Sequence, residues 1–252
     1  QRIEISDHVE DALAVMDHMG WQNAVVVSWS MGVNISFELA ARHPDRVSGL
    51  LSVAGVPGGT YDTLFEPQFI PKQLRRPIGV GIAATGQLFG QQLNWLSRVV
   101  PKNRLFAEVI RHSGIVLPYA EVEDVQPWVQ SFFSQDFEWY FRLASALLRH
   151  EPLDPSFVRC PVTFVAGAMD ALTSGSAVLD AAAKVPHAEV HTLPGSHCLP
   201  LEFPDRIMDM LRDLYVRATW EHGIRSGAGR SGGRSDDESP DAGLAIDLKD
   251  AS

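Results

Sequence analysis

Ala24-Val25-Val26-Val27 is an unbroken apolar run, mostly β-branched, set between two segments of helical period. A strand without a polar face is buried on both sides, as strands of a parallel sheet are. Parallel neighbours need a long crossover, usually a helix. The flanks supply such crossovers. Before the run, Val9, Ala12, Leu13, Met16 and Met19 recur at helical spacing, with Ser6 as the expected cap and Gly20 as the stop. After it, a helix is expected over 31–42, ended by His43-Pro44-Asp45-Arg46, and a second strand over Val47–Val53.

From residue 57 to 157 the pattern changes. Strand runs disappear, and helices rich in Phe, Trp, Leu and Tyr are predicted over 91–100, 104–112, 127–133 and 137–148. Strand and helix then alternate again, with strands at 161–166 and 188–193 and helices at 174–184 and 204–218. The implied architecture is an α/β fold: a mostly parallel sheet flanked by helices and interrupted by a helical insertion. The expected organisation is a first core part at 1–56, a helical insertion at 57–157, a second core part at 158–221 and a tail at 222–252. The tail carries a Gly/Ser/Arg-rich run at 227–233, followed by Asp236, Asp237, Glu238 and Asp241. Such a composition buries too little apolar surface to fold, so disorder is expected there.

Bulk properties narrow the function classes. The 252 residues are 45% hydrophobic, enough for a substantial core. A net charge of -10 repels phosphate backbones and argues against a nucleic-acid partner. The two cysteines, Cys160 and Cys198, read as free thiols in a reducing compartment, so a cytoplasmic location is expected. No apolar run is long enough for an integral membrane segment.

Chemistry concentrates at Ser28-Trp29-Ser30-Met31-Gly32, where the first strand turns into a helix. A sharp strand-to-helix bend exposes the residue at its apex and is crowded by its neighbours, so small residues are expected two before and two after it. Ser30 has Ser28 and Gly32 at those places. The Met31 N–H, at the helix start, would face an oxyanion developing on a bound substrate. A serine hydroxyl needs a base, and the base needs an orienting carboxylate. Asp170 ends the strand segment Phe164-Val165-Ala166-Gly167-Ala168-Met169-Asp170, and His197 follows the next strand in Leu193-Pro194-Gly195-Ser196-His197. Ser, Asp and His thus occur in that order, each just past a predicted strand.

The competing residues read more plainly. Ser28 lies too early for the bend and reads as a packing residue, and Asp154 reads as a turn residue. His187, His191 and His197 cannot share one metal, because four residues along a strand span about 13 Å. That metal reading therefore fails, and chemistry through Ser30, His197 and Asp170 needs no metal and no organic cofactor. Cys198 reads as a small buried hydrophobe. Trp29 reads equally as a substrate contact or as packing beneath the insertion.

In Ser28-Trp29-Ser30-Met31-Gly32, Arg42-His43-Pro44-Asp45-Arg46-Val47, Gly167-Ala168-Met169-Asp170 and Gly195-Ser196-His197, the chain resembles the α/β-hydrolase superfamily, specifically its capped serine members. The resemblance covers about residues 1–218 and implies Ser30 as nucleophile, Asp170 as acid and His197 as base. It also implies a helical cap at 57–157 and an acyl substrate, with ester, lactone, thioester, carbon–carbon bond cleavage and acyl transfer all open. A serine nucleophile separates the chain from the dehalogenase and epoxide hydrolase branches. A non-catalytic binding or scaffold protein on the same fold is the alternative. Two departures stand out. Ser28 replaces the usual first glycine of the bend. The family also has several strands before the nucleophile strand, with a loop that supplies a second oxyanion N–H, whereas this sequence starts one helix before it. A fragment, a misplaced start or a true truncation would each produce that, and the second donor is expected upstream of Gln1.

Overall fold

The computed structural model describes residues 3–65 and 70–227. Four strands form one sheet in the order β1-β2-β3-β4, every pair parallel: β1 is Ala24–Trp29, β2 Val47–Val53, β3 Val162–Gly167 and β4 Glu189–Leu193. Helices α1 (Ile5–His18) and α2 (Gly32–Arg42) flank β1 in sequence. Five helices separate β2 from β3: α3 (Lys72–Leu88), α4 (Gly90–Val99), α5 (Arg104–Arg111), α6 (Val122–Phe132) and α7 (Phe137–Arg149). After β3 comes α8 (Gly175–Ala182), and after β4 come the short α9 (Leu199–Glu202) and the long α10 (Pro204–Gly227). Among the described residues no helix is long and apolar enough to cross a membrane.

The two central strands are buried on both faces, which is why their sequences lack alternation. Leu50, Val162, Phe164 and Ala166 pack with Val9 and Leu13 of α1, Val33 and Phe37 of α2 and Val178 of α8. The intervening residues Leu51, Val53 and Val165 face the other way, onto Ile207, Met210 and Leu214 of α10. The period of two along each strand thus feeds two cores, one per face. Phe164 is fully buried, its ring centroid 5.7 Å from that of Phe37.

The first strand departs from expectation. It is an edge strand, and Val27 is 50% exposed although its run reads as wholly interior. A neighbour lies on one side only, and burial on both faces comes from layers covering both sides of the sheet. The cap of α1 also differs. Glu4, and not Ser6, holds the N-cap position, and the Asp7 carboxylate accepts the Glu4 N–H at 2.9 Å in a capping box. At the other end of the chain, α10 runs beyond residue 218 to Gly227, so residues 222–227 of the expected tail are helical. The remainder of that tail lies outside the described residues.

Within the helical block, α3 has no counterpart among the predicted helices. Pro77, Gly79, Gly81 and Gly86 lower its intrinsic helicity. Its partner α7 stabilises it instead: a Cβ on Gly86 would lie 2.4 Å from the Phe141 ring, so the missing side chain is what admits that ring. Helix α6 starts at Val122, with Pro127 inside it and not at its first turn. Val122, Val125 and Val129 form one buried stripe, each contributing about 1.5–3 kcal/mol. Together they outweigh the roughly 3 kcal/mol that an interior proline costs. A buried pair anchors the block to the sheet layer: Glu38 of α2 meets His150 Nε2, just past α7, at 3.1 Å, and Arg42 donates to Glu38 at 2.5 Å.

Phe164→Ala is expected to lower unfolding free energy by about 3–5 kcal/mol, read from urea denaturation, because the cavity it leaves sits between two layers that cannot close independently.

Candidate active site

Parallel pairing brings the carboxyl ends of all four strands to one edge of the sheet, and the three chemically suggestive residues follow β1, β3 and β4. Ser30 occupies the apex between β1 and α2 with φ of 56°, a left-handed backbone that a serine adopts only when its surroundings enforce it. Its N–H donates to Val53 O at 2.9 Å, and its carbonyl accepts the Val33 N–H at 3.1 Å. The crowding comes from across the sheet. A Cβ on Gly55, just past β2, would fall 2.5 Å from the Ser30 carbonyl oxygen and from Val33 Cγ2. By contrast, a Cβ on Gly32 would meet only Ser28 Cβ at 3.6 Å, so the expected need for a small residue two after Ser30 gives way to a need for glycine at 55. Ser28 is buried, donates to Leu51 O at 3.3 Å and accepts from Ser36 at 2.9 Å, a packing role. Met31 sits at the N-terminal end of α2, where backbone N–H groups lack helical acceptors.

Asp170 lies in the turn after β3 and is fully buried. One carboxylate oxygen accepts the N–H groups of Leu172 and Thr173, both at 2.8 Å. The other faces His197 Nδ1 at 2.9 Å. A carboxylate only accepts, so the proton of a neutral His197 sits on Nδ1 and leaves the Nε2 lone pair free. Nε2 lies 2.7 Å from Ser30 Oγ, within reach to accept its proton. The two loops are zipped together by the Met169 N–H donating to Gly195 O at 2.9 Å. Among the described residues no group of three or more His, Cys, Asp or Glu side chains could hold a metal ion. His187 bonds Cys160 O instead, at 2.9 Å.

Parallel strands, helices on both faces and this Ser–His–Asp contact at the strand ends agree with a match to the family described as alpha/beta hydrolase fold, over residues 1–204. The chain belongs to that family. Over 201 residues this alpha/beta hydrolase chain is 27% identical to RutD of Caulobacter sp. (strain K31), a protein named as a carbamate hydrolase. The match covers 78% of this chain and 66% of that relative, so the chain spans about two thirds of the relative's length. A thermophilic esterase from Thermogutta terrifontis superposes with a TM-score of 0.61 at 16% identity, covering 86% of this chain and 74% of that one. The enol-lactonase from Burkholderia xenovorans LB400 gives 0.61 at 19% identity, covering 85% and 74%. At such identities the likeness is one of fold.

Within this alpha/beta hydrolase fold, a cavity of about 190 Å³ opens beside Ser30 and Met31. Leu64, Ile82, Phe141 and Leu147 give it apolar walls, and the Tyr61 hydroxyl on its rim is already spent on Ala144 O at 2.9 Å. Burial pushes the Tyr61 phenol up to about 12, with Tyr140 adding to the shift, so it stays a neutral donor. Trp29 does not line this cavity. Its indole N–H donates to His197 O at 2.8 Å and its ring lies 5.8 Å from the imidazole, so of its two readings the geometry supports packing, here against the histidine loop. Sequence reasoning missed Glu202, a buried carboxylate under that loop. The available signal was a lone charge inside the apolar run Leu199-Pro200-Leu201-Glu202-Phe203.

Cys198, beside His197, is buried against α5 and α6. Burial first, then the Glu202 and Asp170 carboxylates, pushes its thiol up to about 12. The neutral thiol is therefore the species present at pH 8. Iodoacetamide at that pH is expected to leave Cys198 unmodified in the native protein and to alkylate it after denaturation, as peptide mass mapping would read.

Proposed function

We propose that this chain is the catalytic part of a serine hydrolase acting on a carboxylic ester or related acyl substrate with an apolar moiety. The observation that carries the reading is the continuous contact from Ser30 Oγ through His197 to Asp170, 2.7 and 2.9 Å long, opening onto an apolar cavity. Ser30 attacks the carbonyl carbon while His197 Nε2 takes its proton. The Met31 N–H and the positive end of α2 stabilise the oxyanion. Asp170 keeps the imidazole in its tautomer and stabilises the imidazolium. The imidazolium then protonates the leaving alkoxide as the tetrahedral adduct collapses to an acyl-enzyme. Water, deprotonated by His197, releases the acid and restores Ser30.

The block at 57–157 serves as the cap in this reading, since the cavity is walled by its helices α3 and α7 on one side and by the Ser30–Met31 bend on the other.

Intact-mass labelling with a fluorophosphonate is expected to give one adduct on the parent chain and none on Ser30→Ala. A folded parent chain that takes no adduct would sink the reading. Asp170→Asn leaves the packing in place but removes the acceptor that sets the tautomer, so ester turnover is expected to fall about 10⁴-fold. Across a series of 4-nitrophenyl esters, kcat/KM is expected to rise up to about four-fold per methylene, then to decline once the chain outgrows the cavity.

A further inference from the structure

Glu202 is a carboxylate only 4% exposed, with both oxygens engaged. Oε2 accepts the Ser196 N–H at 2.7 Å, and Oε1 accepts the Leu117 N–H at 2.7 Å and faces the Ser196 hydroxyl at 2.5 Å. That hydroxyl in turn accepts the Cys198 N–H at 3.1 Å and lies 3.0 Å from Ile115 O. The residue before His197 is therefore fastened to a buried anion directly, the residue after it through the Ser196 hydroxyl, and the same anion grips the segment between α5 and α6. The loop runs directly over it, because a Cβ on Gly195 would stand 2.4 Å from Glu202 Oε2. A buried charge of this kind persists only where donors surround it, and here every donor belongs to the histidine loop or to the helical block.

We propose that Glu202 is a positioning residue: it sets the height and tilt of the His197 imidazole and makes them depend on the helical block through Leu117. The proposal rests on His197 acting as the general base. It goes further by naming the group that holds that base and the contact that ties it to the cap. A glutamine cannot replace Glu202, since its amide NH₂ must face either the Ser196 or the Leu117 N–H.

The test uses Glu202→Gln, with Phe164→Ala as a variant that lowers stability far from the loop. Two readouts are taken on folded protein. One is the second-order rate of fluorophosphonate labelling. The other is the downfield proton resonance of His197 Nδ1–H, identified by its absence in His197→Ala. Glu202→Gln is expected to slow labelling about 10–100-fold, as a misplacement near 1 Å would, and to broaden or remove the downfield proton. Phe164→Ala is expected to leave both within about two-fold at a temperature where it stays folded, because its cavity lies in the core. A folded Glu202→Gln that keeps the parent's labelling rate and proton resonance overturns the proposal. If Glu202→Gln does not fold, Glu202→Asp carries the test, since it keeps the charge but shortens the reach to the Ser196 and Leu117 N–H groups, and unchanged readouts there overturn the proposal equally. A parent chain that takes no label would end the hydrolase reading, while the proton resonance would still decide whether Glu202 positions the imidazole.

Discussion

Backbone hydrogen bonds between β2 and β3 close a loop of roughly 100 residues, an entropic cost of about 4 kcal/mol by the (3/2)RT ln n rule. Everything at the strand ends follows from that pairing being made. Without it, Ser30 and Asp170 belong to unrelated segments of chain. Phe164 and Val165 offset the cost by facing opposite cores, so that one short strand is buried by α1, α2 and α8 on one face and by α10 on the other. The insertion is long, yet it is not loose. The Glu38–His150 pair fastens the end of its last helix to the sheet layer, the Tyr61 hydroxyl ties that helix to the start of the insertion, and Glu202 fastens its middle to the histidine loop.

Buried polarity is arranged differently on the two sides of the site. Asp170 is met by two backbone N–H groups and one imidazole, which leaves its charge satisfied and its direction set. Ser30 keeps a left-handed backbone, tied by its N–H to Val53 O, and the missing side chain of Gly55 leaves room for its carbonyl. His197 is fixed through its neighbours: Trp29 grips its carbonyl, and Glu202 grips Ser196. Each catalytic candidate thus has a separate physical restraint, and the one on Asp170 comes from Leu172 and Thr173, which also line the cavity.

Much of this was legible in the chain. The predicted bounds of all four strands fall within a residue or two, and β2 and β3 are apolar-rich because they are buried on both faces. Ser30, Asp170 and His197 stand out because each follows a predicted strand. Helix α3 was not legible, because its proline and glycines contradict helix, and the approach of Tyr61 to Gly79 and of Phe141 to Gly86 appears only in the fold. Glu202 was passed over for a similar reason: a single acid in an apolar segment carries no period, and its partners Leu117 and Ser196 are distant or unremarkable in sequence. Trp29 reads equally as a substrate contact and as packing until the position of His197 O is known.

Local pattern, then, determined the four strands, every long helix but α3, their order, and which three side chains stand at strand ends. Those properties depend on near neighbours in the chain, and hydrophobic period records them. Tertiary structure alone decided that Gly55 and not Gly32 makes room for the Ser30 turn, that Trp29 bonds the His197 carbonyl, and that a buried glutamate joins the histidine loop to the helical block. Each of these is a contact between residues far apart in sequence, and a linear pattern holds no record of distance across a fold.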